Sequence, residues 1–462
     1  MLTIPKIYTI LAFFTYFCMR YVGTFAGIRP YNPIIIIMVR VLIVSTSERT
    51  GGAALAANHL MEALNRNGVQ AQMLVGTRQT NDPHVTALPC YWLHRWHFLW
   101  ERLCIFFHLR FRKQNLFQID IANAGTDITR LKAFQEADVI HLHWVNQGML
   151  SLRSIRRILQ SGKPVVWTMH DLWPATALCH YARGCERYFQ KCARCPLLLG
   201  DGSANDLSAK VWRRKQRMLQ AGHITFVACS KWLAGEARKS ALLQAHTITN
   251  IPNPIDTTLF KPVDKREARQ RAGLPLDGRI ILFVSQRVTD ERKGIRYLME
   301  AVKKLADMHP DWKTDTRIAI LGGQAEEVAA QLALPALPLG YVSNPTTIVD
   351  IYNAADVFVT PSLEDNLPNT IMEAMACGVP CVGFRVGGIP EMIDHLHTGY
   401  VAKFMDSADL ARGIGWVLDE ADSKLLTEKS IEKVQREYSQ ESVAQRYLAV
   451  YTSEAKKKEY DQ

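Results

Sequence analysis

The sequence contains no internal repeat and no low-complexity tract, so neither a solenoid array nor a disordered polar region accounts for its length. It has no zinc-finger, RNP or basic-zipper pattern, which leaves nucleic acid the weakest of the partners its charge suggests. Acidic residues are the scarcer charge, 44 against 55 Lys and Arg, and the net charge of +11 calls for an anionic partner. With nucleic acid set aside, an anionic inner leaflet or a phosphorylated small substrate remains. Long apolar runs are also scarce. Residues 7–28 approach the length of a membrane span, but Arg20 interrupts them and Gly23 and Gly27 weaken any helix there. No small-residue cleavage site follows, which argues against a signal peptide. Because a well-formed strand starts at Met38, residues 1–37 read as an upstream extension or a mis-assigned start, with a membrane anchor as the alternative.

What is present is globular. Hydrophobic residues make up 48% and charged residues 21%, and 462 residues are too many for one ordinary core, so two domains of similar size are expected. From Met38 the chain alternates apolar runs with amphipathic stretches, beginning VRVLIVST (39–46), a glycine-containing loop, and AALAANHLMEALNRNG (53–68). The runs DVIHLHW (138–144), PVVWTMH (164–170) and ITFVACS (224–230) are apolar on both faces, as covered parallel strands are. Prolines in NIPNPIDTTLFKP mark a boundary, after which RIILFVSQ (279–286), RIAILGG (317–323), ADVFVTPS (355–362) and PCVGF (380–384) restart the alternation. The expectation is two doubly wound α/β domains, 38–262 and 263–455, with the chemistry in the cleft at the strands' carboxyl ends.

The densest chemistry lies in PSLEDNLPNTIMEAMACGVPCVGFRVGGIPEMI, residues 361–393. Asp365 falls in a loop after a strand and Glu373 on the next helix, where carboxylates can accept hydrogen bonds from sugar hydroxyls while the helix start offers N–H groups to a diphosphate. The plainer alternative is that Asp365 caps that helix and Glu373 lies on its surface. The acidic pair with seven residues between, the EAMACGVP run and the later Gly387-Gly388-Ile389-Pro390-Glu391 loop resemble, in that order, the donor-binding signature of family 4 retaining glycosyltransferases. That family usually has Glu where Asp365 stands, and Glu364 is the candidate substitute.

The resemblance covers about Met38 to Tyr451 and implies a GT-B architecture of two facing Rossmann-like domains, the second holding a nucleotide-sugar donor and the first a saccharide or lipid-linked acceptor. By the same resemblance Glu373 meets the nucleotide ribose and Asp365 the transferred sugar. Lys293 and an arginine, either Arg287 or Arg292, neutralise the departing diphosphate, so catalysis needs no metal. His170, at the end of an apolar strand, resembles the family's first-domain histidine near the reacting centre, while His143 reads as structural or acceptor-facing. Gly51 and Gly52 let backbone approach a phosphate or sugar closely, and their loop is not the G-x-G-x-x-G of dinucleotide-binding dehydrogenases.

Cys179, Cys185, Cys192 and Cys195 fall within CHYARGCERYFQKCARCP. The Cys192–Cys195 spacing is that of a metal knuckle, whereas the Cys179–Cys185 spacing is wider than usual for zinc. A structural zinc site is the first expectation, with unligated thiols and then disulfides as alternatives. The whole reads as a cytoplasmic enzyme of envelope-polysaccharide synthesis, associated peripherally with the inner face of the membrane. Its rivals are another GT-B enzyme, such as a nucleotide-sugar epimerase or hydrolase, and a non-catalytic assembly partner.

Overall fold

Strands form where Val, Ile and Leu run together with no polar alternation, and in the computed structural model, which describes residues 39–198 and 202–460, these runs are covered on both faces. The expectations for residues 1–37 lie outside the described residues. The first sheet is built from β1 (Arg40–Ser47), β2 (Gln70–Thr77), β3 (Val85–Ala87), β4 (Val139–Leu142), β5 (Val165–Met169), β6 (Thr225–Ala228) and β7 (Thr247–Asn250). All neighbours are parallel in the order β3-β2-β1-β4-β5-β6-β7. The chain reverses its direction of growth between β1 and β4, the switch point at which such sheets open a crevice. Val44 of β1 registers with Leu74 on one side and Leu142 on the other, so the loops after these strands leave one common edge.

The second sheet repeats the plan with β8 (Arg279–Arg287), β9 (Thr316–Gly323), β10 (Ala336–Gly340), β11 (Val357–Thr360), β12 (Cys381–Phe384) and β13 (Gly399–Ala402), parallel in the order β10-β9-β8-β11-β12-β13. The helices that matter for the site are α1 (Gly52–Arg66), α2 (Tyr91–His108), α3 (Lys231–Lys239), α4 (Ile295–Met308), α5 (Asn369–Ala376) and α6 (Gln440–Tyr460). This is the two-domain α/β arrangement expected. Among the described residues, no helix is long and apolar enough to cross a membrane.

The sequence division at 263–455 differs from the structure at its end. Helix α6 returns to the first sheet, where Val443, Ala444, Tyr447 and Tyr451 join the core of Val39, Ile43 and Val166. Tyr451 Oη bonds His141 Nδ1 at 2.7 Å and Tyr447 Oη bonds Thr168 Oγ1 at 2.8 Å, so the return also satisfies polar groups buried at the sheet.

Candidate functional site

Loops from the carboxyl ends of β1, β5, β8, β11 and β12 converge. After β8 the chain makes a short turn and enters α4 through Gly294, whose φ of +69° is left-handed and whose α-carbon lies so close to Pro361 that a Cβ would sit 1.9 Å from that residue's carbonyl oxygen. Leu363 N donates to Arg292 O at 2.8 Å, locking this turn to the loop after β11. The two loops thereby bring Lys293 Nζ to 2.5 Å from Asp365 Oδ2, and Ser362 Oγ donates to the same oxygen at 3.1 Å. Burial pushes the Asp365 carboxyl up, but Lys293 and Arg292 outweigh it and hold the group below the usual carboxylate range. It is therefore an anion with a cation already in contact.

Arg292 donates to Glu364 O at 3.2 Å and lies over the Tyr181 ring at 5.4 Å, whereas Arg287 is exposed at the end of β8 and bonds Gln324 at 2.8 Å. Of the two candidate arginines, the geometry gathers Arg292 with Lys293, Glu364 and Asp365. The Glu364 carboxylate faces Arg183 at 3.6 Å, and burial raises its pKa despite that arginine and Arg292. Glu373, on α5, accepts from Tyr352 Oη at 2.7 Å, and burial again raises its pKa while the tyrosine's hydrogen bond opposes the shift.

Gly387 and Gly388 stand against the backbone of the acidic loop. A Cβ at Gly387 would come within 1.7 Å of Asp365 O, and one at Gly388 within 1.9 Å of Asn366 O. These glycines let two loops touch, which positions Asp365 whatever else they contact. The Glu391 carboxylate accepts from Lys231 N at 2.7 Å and Trp232 N at 2.6 Å. It thus shares with Ser230 the capping of α3, a helix of the first domain.

The first domain contributes His170 after β5. Its Nε2 lies 3.0 Å from His143 Nδ1 and its Nδ1 lies 3.4 Å from Cys229 Sγ, and burial lowers its pKa to about 4, so the ring is neutral near pH 7. His170 O accepts from Asn366 Nδ2 at 3.2 Å, and Ser230 Oγ donates to Asn366 Oδ1 at 2.5 Å, which ties the histidine loop to the residue after Asp365. Gly51, at φ +90°, has open space where a Cβ would project. Gly52 opens α1, and its carbonyl faces Asn369 Nδ2, the first residue of α5, at 3.4 Å. Neither α1 nor α5 has a side-chain cap or an acid in its first turn, so two uncompensated positive helix ends from different domains meet, α5 starting four residues after Asp365.

Cys179, Cys185, Cys192 and Cys195 are free and line one small pocket. Burial pushes the Cys179 thiol up to about 11 and Cys192 up to about 12. Among the described residues, no three or more His, Cys, Asp or Glu side chains are grouped so as to hold a metal ion. Sequence reading missed Tyr181, Arg183, Asn366 and Asn369. Tyr181 and Arg183 sit inside the cysteine segment, and only the fold carries that segment to Arg292 and Glu364.

Residues 278–420 match the family described as Glycosyl transferases group 1, and residues 50–259 match Glycosyltransferase Family 4. The chain is similar to a D-inositol 3-phosphate glycosyltransferase of Acidothermus cellulolyticus, 28% identical over 309 residues, or 63% of this chain and 62% of that protein. It is also similar to an N-acetyl-alpha-D-glucosaminyl L-malate synthase of Bacillus anthracis, 24% identical over 210 residues, or 44% of this chain and 53% of that one. The matches thus span less than two thirds of these relatives. Among solved structures, sucrose-phosphate synthase from Thermosynechococcus elongatus superposes with a TM-score of 0.61 at 19% identity, covering 90% of this chain and 98% of that one. Anabaena HepE in complex with UDP and glucose superposes with a TM-score of 0.60 at 15% identity, covering 90% and 100%. At these identities the likeness is one of fold.

Proposed function

Because the chain belongs to the family 4 glycosyltransferases of GT-B fold, we propose that it transfers a hexose, with retention at the anomeric carbon, from a nucleotide sugar to a saccharide or lipid-linked acceptor of an envelope polysaccharide. The observation that carries this reading is the meeting of the α1 and α5 N-termini, with α5 starting four residues after Asp365, the partner of Lys293. A diphosphate fits there, since helix N-termini and a lysine all favour negative charge. When the diphosphate arrives, Lys293 turns from Asp365 to the phosphate oxygens and leaves Asp365 free to accept from sugar hydroxyls. Arg292 adds a second cation, so the charge that grows on the leaving group meets fixed donors without a divalent metal. The neutral His170 lies at the first-domain side of the same cleft, and its ring would exchange its contact with His143 or Cys229 for one to the donor. Because the chemistry draws on nucleotide sugars, the reaction belongs to the cytoplasmic face of the membrane.

The names of the relatives support sugar transfer, and the UDP and glucose of HepE make uridine nucleotide sugars the first donors to test. In a panel of nucleotide sugars, the true donor should raise the melting temperature, an effect worth about 2.7 kcal/mol at a hundredfold excess over Kd. Product should then form only with acceptor present, carry the donor's anomeric configuration, and persist in EDTA. Free sugar released without acceptor would favour a hydrolase or epimerase, and no nucleotide binding at all would favour a non-catalytic assembly partner.

A structural zinc at the cysteine pocket is a separate proposal, supported by the four thiols lining one space. An ion there would have to draw the thiols together and deprotonate them. The expected metal content of anaerobically purified protein is about one zinc per chain. Metal-free protein of normal stability would end the proposal.

A further inference from the structure

Helix α2 is built inside out. The side chains that face the protein are His94, Glu101, Arg102 and Ile105, all buried. Glu101 Oε1 accepts from the backbone of Ile121 at 2.8 Å and Ala122 at 2.6 Å, and Arg102 donates to Leu116 O at 2.7 Å and pairs with Asp120. The opposite face carries Trp92, Trp96, Leu99, Trp100, Leu103 and Phe107, exposed by 77, 61, 51, 44, 43 and 54%. Steps of three and four residues put these six side chains on one stripe. Phe111 and Phe117, each 64% exposed, follow directly.

An apolar stripe of this extent marks a surface that meets something other than water. Its flanks show what. Arg95, Arg110, Arg112 and Lys113 are all exposed, and the only acid between Tyr91 and Lys113 is the buried Glu101. Tryptophan, leucine and phenylalanine on one face with arginine and lysine at its border are complementary to a bilayer interface of anionic headgroups over acyl chains.

We propose that α2 and the turn after it lie in the surface of an anionic lipid bilayer, the aromatic stripe at the acyl boundary and the arginines and lysine at the phosphates. This rests on the α2 face alone and does not require the transfer reaction. Asp120, the partner of Arg102, also bonds His180 Nε2 at 2.6 Å, and His180 Nδ1 bonds Asp171, the neighbour of His170, at 2.7 Å. The membrane-facing helix is therefore tied by polar contacts to the loop that carries His170, and docking would orient the cleft relative to the lipid surface.

The test uses the full chain with vesicles of phosphatidylcholine alone or mixed with phosphatidylglycerol, some carrying acyl chains brominated to quench tryptophan. Of the ten tryptophans, the exposed ones among the described residues are Trp92, Trp96 and Trp100, and residues 1–38 contain none. Quenching by brominated lipid therefore reports insertion of α2 and not contact by the N-terminal residues. The chain should float with the mixed vesicles, show quenching, and release as salt rises. The variant Leu99→Ser/Leu103→Ser/Phe107→Ser keeps all ten tryptophans and should partition at least about tenfold more weakly. Should that variant misfold, Arg110→Glu/Arg112→Glu/Lys113→Glu should lose the preference for anionic vesicles. Flotation without quenching, no flotation, or unchanged partitioning of a folded variant would overturn the proposal. So would a lipid-free dimer that the serine variant converts to monomer, because the face would then be a contact between copies.

Discussion

Glu373→Ala and Lys293→Ala are each expected to lower the rate of sugar transfer about a hundredfold or more while the urea unfolding midpoint stays near that of the wild type. The expectation follows from where charge changes in the reaction. A lysine facing a leaving diphosphate meets a charge that grows toward the transition state, and removing one such contact costs about 3 kcal/mol, or two powers of ten in rate. Lys293 is partly exposed, and Arg292 remains as a second cation for the Asp365 carboxylate when the lysine is removed, which limits the loss of stability. Glu373 is half-buried with its carboxylate held by Tyr352, which leaves one carboxylate oxygen for the ribose hydroxyl that the proposed function assigns to it. Asp365→Ala should also impair transfer, although it leaves Lys293 unpaired and so mixes two effects. Asp365→Glu is the finer comparison, because it installs the residue usual in the family and should keep activity or change the preferred donor. Near-normal transfer by both Glu373→Ala and Lys293→Ala would place the donor elsewhere.

The largest loss of stability should come from Asp120→Ala. Asp120 is 1% exposed, with one carboxylate oxygen paired to Arg102 and the other bonded to His180. Both partners are buried, and burial already pulls the Arg102 pKa below its ordinary value against the raising influence of Glu101. Alanine would leave the guanidinium facing a cavity without its nearest anion, and breaking a buried pair on one side costs about 3–5 kcal/mol. Urea denaturation at neutral pH reads this directly. A loss below about 1 kcal/mol would mean that water enters and replaces the carboxylate. Because the Asp120 chain of contacts ends at Asp171, reduced activity should accompany the loss even where the variant is still folded.

Much of this protein was legible from local pattern. Runs such as RVLIVSTS and RIILFVSQR can only be covered strands, since their apolar side chains point to both faces of the pleat. The interior strand β2 escaped, and so did the edge strands β3, β7, β10 and β13, which are three to five residues long and, in β10, half-exposed and interrupted by Pro338. The acidic pair, the lysine and the helix that follows Asp365 could be placed because each sits within a few residues of a strand end.

Which partners these groups would find was not local. Arg287 and Arg292 are equivalent in sequence, and only the hydrogen bond locking residue 363 to residue 292 decides that Arg292 turns toward the acidic loop. Glu391 follows the glycine pair in sequence but spends its carboxylate on a helix of the other domain. Segment 91–108 has helical periodicity whichever face is buried, and Asp120 and the amides of Ile121 and Ala122 draw the polar face inward and leave the aromatic one outside. Helix α6 belongs by sequence to the second domain, yet its tyrosines reach His141 and Thr168 beneath the first sheet. Local pattern sufficed for most of the central strands, the two-domain plan and the chemical kinds of the site residues, because periodicity and residue type act over one turn or one strand. The tertiary structure alone decided the pairing of charges and the direction each face looks, because a buried charge is stabilised by whichever opposite group the fold brings within a few ångströms, however distant in the chain.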